Sequence, residues 1–90
     1  MLELYPTTQF KKDRKKAVKR GLPMVELDEV IETLRKEEPL DPKYRDHALY
    51  GDYAGFRECH IQPDWLFIYR AEHEKLILVA ARTGTHADLF

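Results

Sequence analysis

The hydrophobic and polar residues of this 90-residue chain alternate first with a short period and then with a helical one. Residues 2–5 alternate and stop at Pro6, which predicts a short first strand. Thr7-Thr8 supplies N-cap side chains for a helix that runs to about Arg20, and Gly21 is placed to end it. This first helix has a thin apolar side, so we expect it to lie on the surface.

A second helix follows with a well-defined apolar stripe. Pro23 suits its first turn, since proline is pre-organised for helix starts. The stripe recurs at helical spacing and consists of Met24, Leu27, Val30, Ile31 and Leu34. The short turn between the helices predicts a helix hairpin.

The second half of the chain reads as a sheet. Residues 56–61, 65–70 and 76–82 are predicted strands, and a shorter one is expected near 46–49. The turns between the three long strands are too short for parallel crossovers, so these strands should be antiparallel. The sequence predicts an α+β fold in which an N-terminal strand and the helix hairpin pack on a twisted antiparallel β-sheet. We expect residues 1–90 to form one domain.

Charge is segregated along the chain although the net charge is only -1. Residues 11–20 are strongly basic, whereas residues 26–41 are mostly acidic. The basic helix could bind phosphates, or the two helices could pair their exposed faces. The candidate phosphate-binding side chains are Lys11, Lys12, Lys15 and Lys16.

Cysteine use and hydropathy indicate the compartment. Cys59 is the only cysteine, which excludes an intrachain disulfide and is typical of a reducing environment. No N-terminal apolar stretch resembles a signal peptide and no run approaches membrane-spanning length. We therefore expect a cytoplasmic protein with no membrane partner.

Three of the four histidines, His47, His60 and His86, suggest catalytic chemistry. Alternation places Cys59 and Ile61 under the helices, and sends Phe56, Glu58 and His60 to the open face of the sheet. Asp64 lies at the start of the next strand, just beyond the turn and within reach of His60. His47 precedes the strands and His86 follows them, so both could approach that face.

Imidazoles titrate near neutrality and can act as general base and general acid. RNA carries its own nucleophile, the 2′-hydroxyl, so cleavage needs a base, an acid, a cation such as Arg82, and aromatic side chains such as Trp65 and Phe90 to hold the nucleotide. Each residue also has a structural explanation, and a Trp65 that opens an apolar strand is often a core residue. No paired metal-ligand spacing is present, so neither a metal site nor a cofactor is expected.

The chain resembles the YafQ family of toxins, within the RelE/ParE superfamily, in three blocks that span its second half. The blocks read YRDHAL at residues 44–49, GFRECHIQPDWLFIY at 55–69 and RTGTHADLF at 82–90. The helix hairpin is similar to the family as well. The resemblance implies a metal-independent endoribonuclease that cuts messenger RNA in the ribosomal A site. It also implies a DinJ/RelB-type antitoxin, through which alone the toxin would reach operator DNA.

Residue roles follow from the same resemblance. It implies a catalytic set of His47, His60, Asp64 and His86, with His86 as general acid and His47 as general base. His60 and Asp64 would position groups or stabilise charge, and Trp65 and Phe90 would shape the nucleotide pocket. The competing hypothesis is a non-catalytic interaction module, either a ParE-like poison of a protein target or a decayed toxin that binds only its antitoxin.

Overall fold

The computed structural model describes all 90 residues and contains a five-stranded sheet with the strand order β1-β5-β4-β3-β2. Its elements are β1 (Glu3–Pro6), α1 (Thr8–Lys19), α2 (Met24–Arg35), β2 (His47–Ala48), β3 (Arg57–Gln62), β4 (Trp65–Glu72), β5 (Ile77–Gly84) and α3 (His86–Leu89). Short 3₁₀ turns cover Pro42–Tyr44 and Gly51–Tyr53. The α+β prediction is confirmed. None of the helices combines the length and apolar content needed to cross a membrane.

The ends of the helix hairpin are set by local chemistry. The Thr7 hydroxyl accepts the backbone N–H of Phe10 at 3.0 Å, which caps α1. The same hydroxyl donates to the carbonyl of Ala81 at 2.8 Å and so ties the start of α1 to β5. Gly21 has a φ of +77°, a left-handed conformation that suits glycine and ends the helix. The predicted boundaries of α1 and the predicted start of α2 are confirmed to within about one residue.

The sheet is antiparallel in its centre and parallel at one edge. The strands β3, β4 and β5 pair antiparallel, as their short turns predicted, and β2 adds a two-residue antiparallel edge to β3. However, β1 pairs parallel with β5. The long stretch of chain between these two strands makes the parallel arrangement possible, because it is long enough to return in the same direction.

The sheet carries a core on each face. Under the helices, Leu27, Val30 and Ile31 of α2 pack against Cys59 and Ile61 of β3. This burial raises the pKa of the Cys59 thiol, so the reactive thiolate is disfavoured. On the opposite face a smaller cluster comprises Leu66, Ile68, Ala81 and Leu89, with partly buried neighbours at its rim. The smaller core leaves room on that face for polar side chains.

Candidate active site

Three imidazoles stand in a row on the face of the sheet opposite the helix hairpin. The ring centroid of His60, on β3, lies 6.1 Å from that of His47 and 5.8 Å from that of His86. His47 comes from the edge strand β2 and His86 from the first position of α3. The prediction that His60 faces away from the helices and close to His86 is confirmed.

Glu58 is the site residue that the sequence interpretation missed. Its side chain is buried, only 5% exposed, and its Oε1 lies 3.5 Å from Nε2 of His47 and 3.6 Å from Nε2 of His60. A buried carboxylate needs partners of this kind, because an unpaired buried charge is costly. The strand alternation already placed Glu58 on the same face as His60, so the signal was present in the sequence.

Backbone carbonyls fix how two of the histidines are oriented. Nδ1 of His47 lies 2.8 Å from the carbonyl oxygen of Arg45, and Nδ1 of His60 lies 3.3 Å from that of Pro63. A carbonyl oxygen only accepts hydrogen bonds, so each Nδ1 is assigned the proton. Nε2 of each imidazole then faces Glu58 and is the atom at which that imidazole can take up or release a proton.

An ion-pair network holds His47 in place although its strand has only two residues. The preceding residue, Asp46, accepts hydrogen bonds from the Tyr69 hydroxyl and from the Arg57 guanidinium, whose two nitrogens lie 3.1 and 2.9 Å from Oδ2. Burial and the Asp46 carboxylate raise the pKa of Tyr69, so its hydroxyl keeps the proton that it donates. Asp46 thus anchors a short edge strand to the body of the sheet.

Asp64 holds His86 in place, as Asp46 holds the strand of His47. Its Oδ1 accepts the backbone N–H of His86 at 3.0 Å and lies 2.8 Å from Nδ1 of the same residue. These two bonds hold the pKa of the Asp64 carboxyl below its usual range, so it remains a charged acceptor. The arrangement leaves Nε2 of His86 free to face a substrate, and over half of the His86 side chain is exposed.

Helix α3 carries His86 and is fastened at both ends. Thr85 and Asp88 form a capping box, in which each side chain accepts the other's backbone N–H. Asp88 also pairs with Arg20 at 2.6 Å and Lys16 at 3.3 Å, which ties α3 to the end of α1. The Lys16 ammonium, which was predicted to bind substrate, lies in this ion pair with Asp88.

Acid should loosen this attachment. Hydrogen bonds from Arg20 and the Thr85 backbone hold the pKa of Asp88 well below its ordinary value of 3.8. A carboxyl with a lowered folded-state pKa stabilises the fold above its unfolded pKa, and this contribution is lost as the pH falls further. We expect the difference in urea midpoint between the wild type and Asp88→Asn to shrink from pH 7 to pH 3. A difference that is constant over this range would contradict the role given to Asp88.

The structure corrects the expectation for Trp65. The side chain is 2% exposed within the core under the helices, and its indole N–H donates to the Thr83 hydroxyl at 3.0 Å. Position 65 has the same parity in β4 as Phe67 and Tyr69, which also face the helices. Trp65 therefore cannot offer a stacking surface to a nucleotide on the opposite face, and its contribution is structural.

Phe90 does lie beside the histidines, as expected. It is 65% exposed, and its ring centroid lies 6.5 Å from that of His86 and 5.6 Å from that of Tyr53. Tyr53 was not singled out from the sequence, because it comes from a short 3₁₀ turn without periodicity. The exposed Phe90 ring, supported by Tyr53, provides an aromatic surface at this end of the row.

Arg82 is held in an ion pair with α1. Its Nε lies 2.8 Å from Oδ2 of Asp13 and a terminal nitrogen lies 3.2 Å from Oδ1, while the backbone N–H of Thr83 also donates to Asp13. Asp13 is 8% exposed, and these bonds hold its pKa below the usual range despite the opposing effect of burial. The Arg82 guanidinium thus uses Nε and one terminal nitrogen to join α1 to β5.

The basic surface of α1 is largely unpaired. Lys11, Lys12 and Lys15 are exposed and form no ion pair, and the only ion pair between α1 and α2 joins Arg14 to Asp28 at 3.1 Å. The exposed faces of the two helices are therefore joined by this one ion pair only.

The histidine row also contains a possible metal-binding group. His47, Glu58 and His60 each offer a donor atom, and these atoms lie within 4.8 Å of one another. Two imidazoles and a carboxylate are a ligand set that suits zinc or copper. No metal site was predicted from the sequence, because no paired metal-ligand spacing is present. The pairing of β2 with β3 nevertheless brings His47 next to Glu58 and His60.

Comparison with known proteins decides the family. The family described as "Bacterial toxin of type II toxin-antitoxin system, YafQ" matches residues 2–90. The chain belongs to the YafQ family. The mRNA interferase toxin YafQ of Escherichia coli K12 is 41% identical over 83 residues, which are 91% of this chain and 88% of the relative.

Solved structures of YafQ-like toxins share the fold over the whole chain. A metal-bound toxin from Helicobacter pylori superposes with a TM-score of 0.94 at 41% identity, with all of both chains covered. A chain of the E. coli DinJ-YafQ complex has a TM-score of 0.89 at 37% identity and covers 100% of this chain and 99% of that one.

Proposed function

We propose that this YafQ-family toxin cleaves messenger RNA in the ribosomal A site by histidine acid–base catalysis, with the 2′-hydroxyl as nucleophile. The toxin is an endoribonuclease of the mRNA interferase class, as its curated relatives are named. The observation that carries the mechanism is the row of three imidazoles, flanked by Glu58 and Asp64, on an open face. A module that only bound a protein would have no use for this row.

The order of the histidines matches in-line attack on a phosphodiester. The attacking and leaving oxygens lie on opposite sides of phosphorus, so a base and an acid are needed at opposite ends with a charge-stabilising group between them. His47, as base, takes the 2′-hydroxyl proton at Nε2 while the new bond to phosphorus forms. The bond to the 5′-oxygen breaks, and His86 donates a proton to that oxygen. The products are a 2′,3′-cyclic phosphate and a 5′-hydroxyl.

The remaining groups hold this row in register. His60, in the middle of the row, stabilises the developing charge of the phosphate in its protonated form. Glu58 faces Nε2 of both His47 and His60, and accepts a hydrogen bond from Nε2–H of either imidazole when that imidazole is protonated. Asp64 orients His86 through Nδ1, which is the part a carboxylate plays for a catalytic imidazole in many enzymes. Phe90 supplies the aromatic contact for a nucleotide at the His86 end.

Cleavage should not need a metal ion. A metal bound to His47, Glu58 and His60 would occupy the Nε2 lone pairs on which the base depends, so metal binding and proton abstraction exclude one another. We expect purified toxin to cut messenger on translating ribosomes equally well with and without a chelator of transition metals. Loss of cleavage in the chelator would contradict the proposed mechanism.

A DinJ/RelB-type antitoxin is the proposed protein partner. Support comes from the E. coli DinJ-YafQ structure, whose toxin chain this chain matches along its full length. We propose that the antitoxin covers the histidine face, that operator DNA is reached only through it, and that the toxin acts in the cytoplasm, where ribosomes are.

The basic surface of α1 should serve ribosome binding rather than chemistry. We expect reversal of Lys11, Lys12 and Lys15 to glutamate to weaken ribosome association and to flatten its salt dependence, by roughly 0.7–0.9 in log–log slope for each phosphate that is no longer neutralised. The single-turnover rate at saturation should change little. Lys16 is left unchanged because it holds α3 through Asp88.

Filter binding to ribosomes over a range of salt concentrations measures this effect. Lys75→Glu, at the exposed turn between β4 and β5, is the matched control for charge reversal. An unchanged affinity in the triple variant would show that the α1 lysines are only a solvated surface.

A further inference from the structure

A second concavity shares His60 with the histidine row. It has a volume of about 260 Å³ and lies where the start of α2, the 3₁₀ turn Pro42–Tyr44 and the end of β3 meet. The strand pairing of β3 shifts register between His60 and Gln62, and such bulges re-aim side chains beside functional sites. The side chains that line it include Glu26, Lys43, Tyr44, Arg45, His60 and Gln62.

Two cations at this pocket have no carboxylate partner. Six of the seven arginines in the chain form ion pairs, and Arg45 is the exception. Lys43 likewise forms no ion pair, and its ammonium lies 5.2 Å from the centre of the Tyr44 ring. Exposed cations without protein partners, placed next to catalytic imidazoles, favour an anionic ligand such as a phosphate.

The backbone at Arg45 connects the pocket to the catalytic row. Arg45 has a φ of +52°, which is uncommon for a residue with a side chain and costs some conformational energy. This conformation directs its carbonyl to Nδ1 of His47 at 2.8 Å. Arg45 is only two residues from His47, the proposed base, so a ligand that binds the Arg45 side chain lies beside the catalytic row.

The opposite wall of the pocket is polar and fixed. The amide nitrogen of Gln62 donates to Oε2 of Glu26 at 2.7 Å, and both residues are half-buried. The pair leaves one amide N–H and further oxygen acceptors unused. An array of one donor and several acceptors in a fixed geometry is suited to the edge of a nucleobase.

We propose that this pocket binds one nucleotide of the messenger next to the cleaved phosphodiester and contributes to the choice of cleavage site. The nucleotide's phosphate lies between Lys43 and Arg45, its base stacks on Tyr44, and the Glu26–Gln62 pair reads the base edge. Tyr44 is half-buried against the core under the helices, which gives a rigid stacking surface. The proposal rests on the proposed ribonuclease function.

Binding is tested without cleavage by using a 2′-O-methyl RNA trinucleotide, which lacks the nucleophile. Its affinity is measured by fluorescence anisotropy at several salt concentrations. For Lys43→Gln/Arg45→Gln we expect weaker binding and a log–log salt slope reduced by roughly 0.7 for each phosphate that the variant no longer neutralises. The matched control Lys36→Gln/Lys75→Gln, with two exposed lysines elsewhere, should bind as the wild type does. Equal affinity and slope in both double variants would overturn the proposal.

Site choice is tested by exchanging the two wall residues. Glu26→Gln/Gln62→Glu keeps the pair but reverses its order of donors and acceptors, so the positions cut on translating ribosomes should change. An unchanged set of positions would overturn the pocket's role even if cleavage still depends on the histidines, and the proposed function would then stand.

Two further outcomes separate the pocket from the proposed function. If the wild type cut no messenger but bound the trinucleotide through Lys43 and Arg45, the ribonuclease proposal would fail and the nucleotide pocket would be supported. A Lys43→Gln/Arg45→Gln toxin that lost antitoxin binding while keeping trinucleotide affinity would overturn the proposal and assign the surface to the protein partner.

Discussion

His86→Ala is expected to lower the single-turnover rate of cleavage on ribosome-bound messenger by roughly a hundredfold or more, the usual scale for loss of a proton-transfer group. The reason is that no neighbouring group can replace its proton donation to the 5′-oxygen, since Asp64 is a charged acceptor. The melting temperature should hardly change, because the His86 side chain is 55% exposed and contributes little to the core. Rapid-quench kinetics and thermal unfolding of the same preparation measure the two effects.

His73→Ala is the matched control for this variant. His73 also pairs with a carboxylate, that of Glu37, but it lies at the exposed turn after β4 and not in the histidine row. Its removal should leave the cleavage rate unchanged. A His86→Ala toxin that cuts as fast as His73→Ala would remove His86 from the mechanism.

Trp65→Ala should act on stability and not directly on substrate binding. Truncation of a fully buried tryptophan leaves a cavity and here also leaves the Thr83 hydroxyl without its donor, so we expect a loss of about 3–5 kcal/mol in the free energy of unfolding. Such a loss is a large share of the stability of a small domain. Urea unfolding measures it directly.

Trp65→Phe separates the structural role from a nucleotide-stacking role. The phenyl ring keeps most of the buried apolar volume but cannot donate to Thr83, so the loss of stability should be smaller and affinity for RNA should be retained. A Trp65→Phe toxin that folds normally yet loses affinity for RNA would show that the indole contacts the nucleotide after all.

Local signals explain why most of the fold could be predicted. The Thr7 cap, Gly21 and the apolar stripe of α2 are set by nearby residues, so the helix hairpin follows from the sequence. The two-residue alternation in β3 likewise determines that His60 and Glu58 share the open face. Such features depend on neighbouring residues and backbone geometry, so they can be predicted without knowing which distant residues are in contact.

Long-range contacts account for what could not be predicted. The parallel pairing of β1 with β5 and the ion pair of Asp13 with Arg82 join residues that are far apart in the chain. The grouping of His47 with Glu58 and His60 depends on an edge strand of only two residues. Trp65 is different, since its place at the start of an apolar strand indicated the core, whereas the chemistry expected of the site and the resemblance to the family both favoured a pocket role.

The proposed histidine mechanism rests on one chemical step, attack by the 2′-hydroxyl on the neighbouring phosphate. The most direct measurement uses ribosomes programmed with a messenger that carries a single 2′-deoxynucleotide at the position cut by the wild-type toxin. We predict no cut at that position, and a 2′,3′-cyclic phosphate on the 5′ fragment when the 2′-hydroxyl is present. Cleavage of the deoxy-substituted messenger at the same position, or normal cleavage by His47→Ala, His60→Ala and His86→Ala alike, would contradict the mechanism.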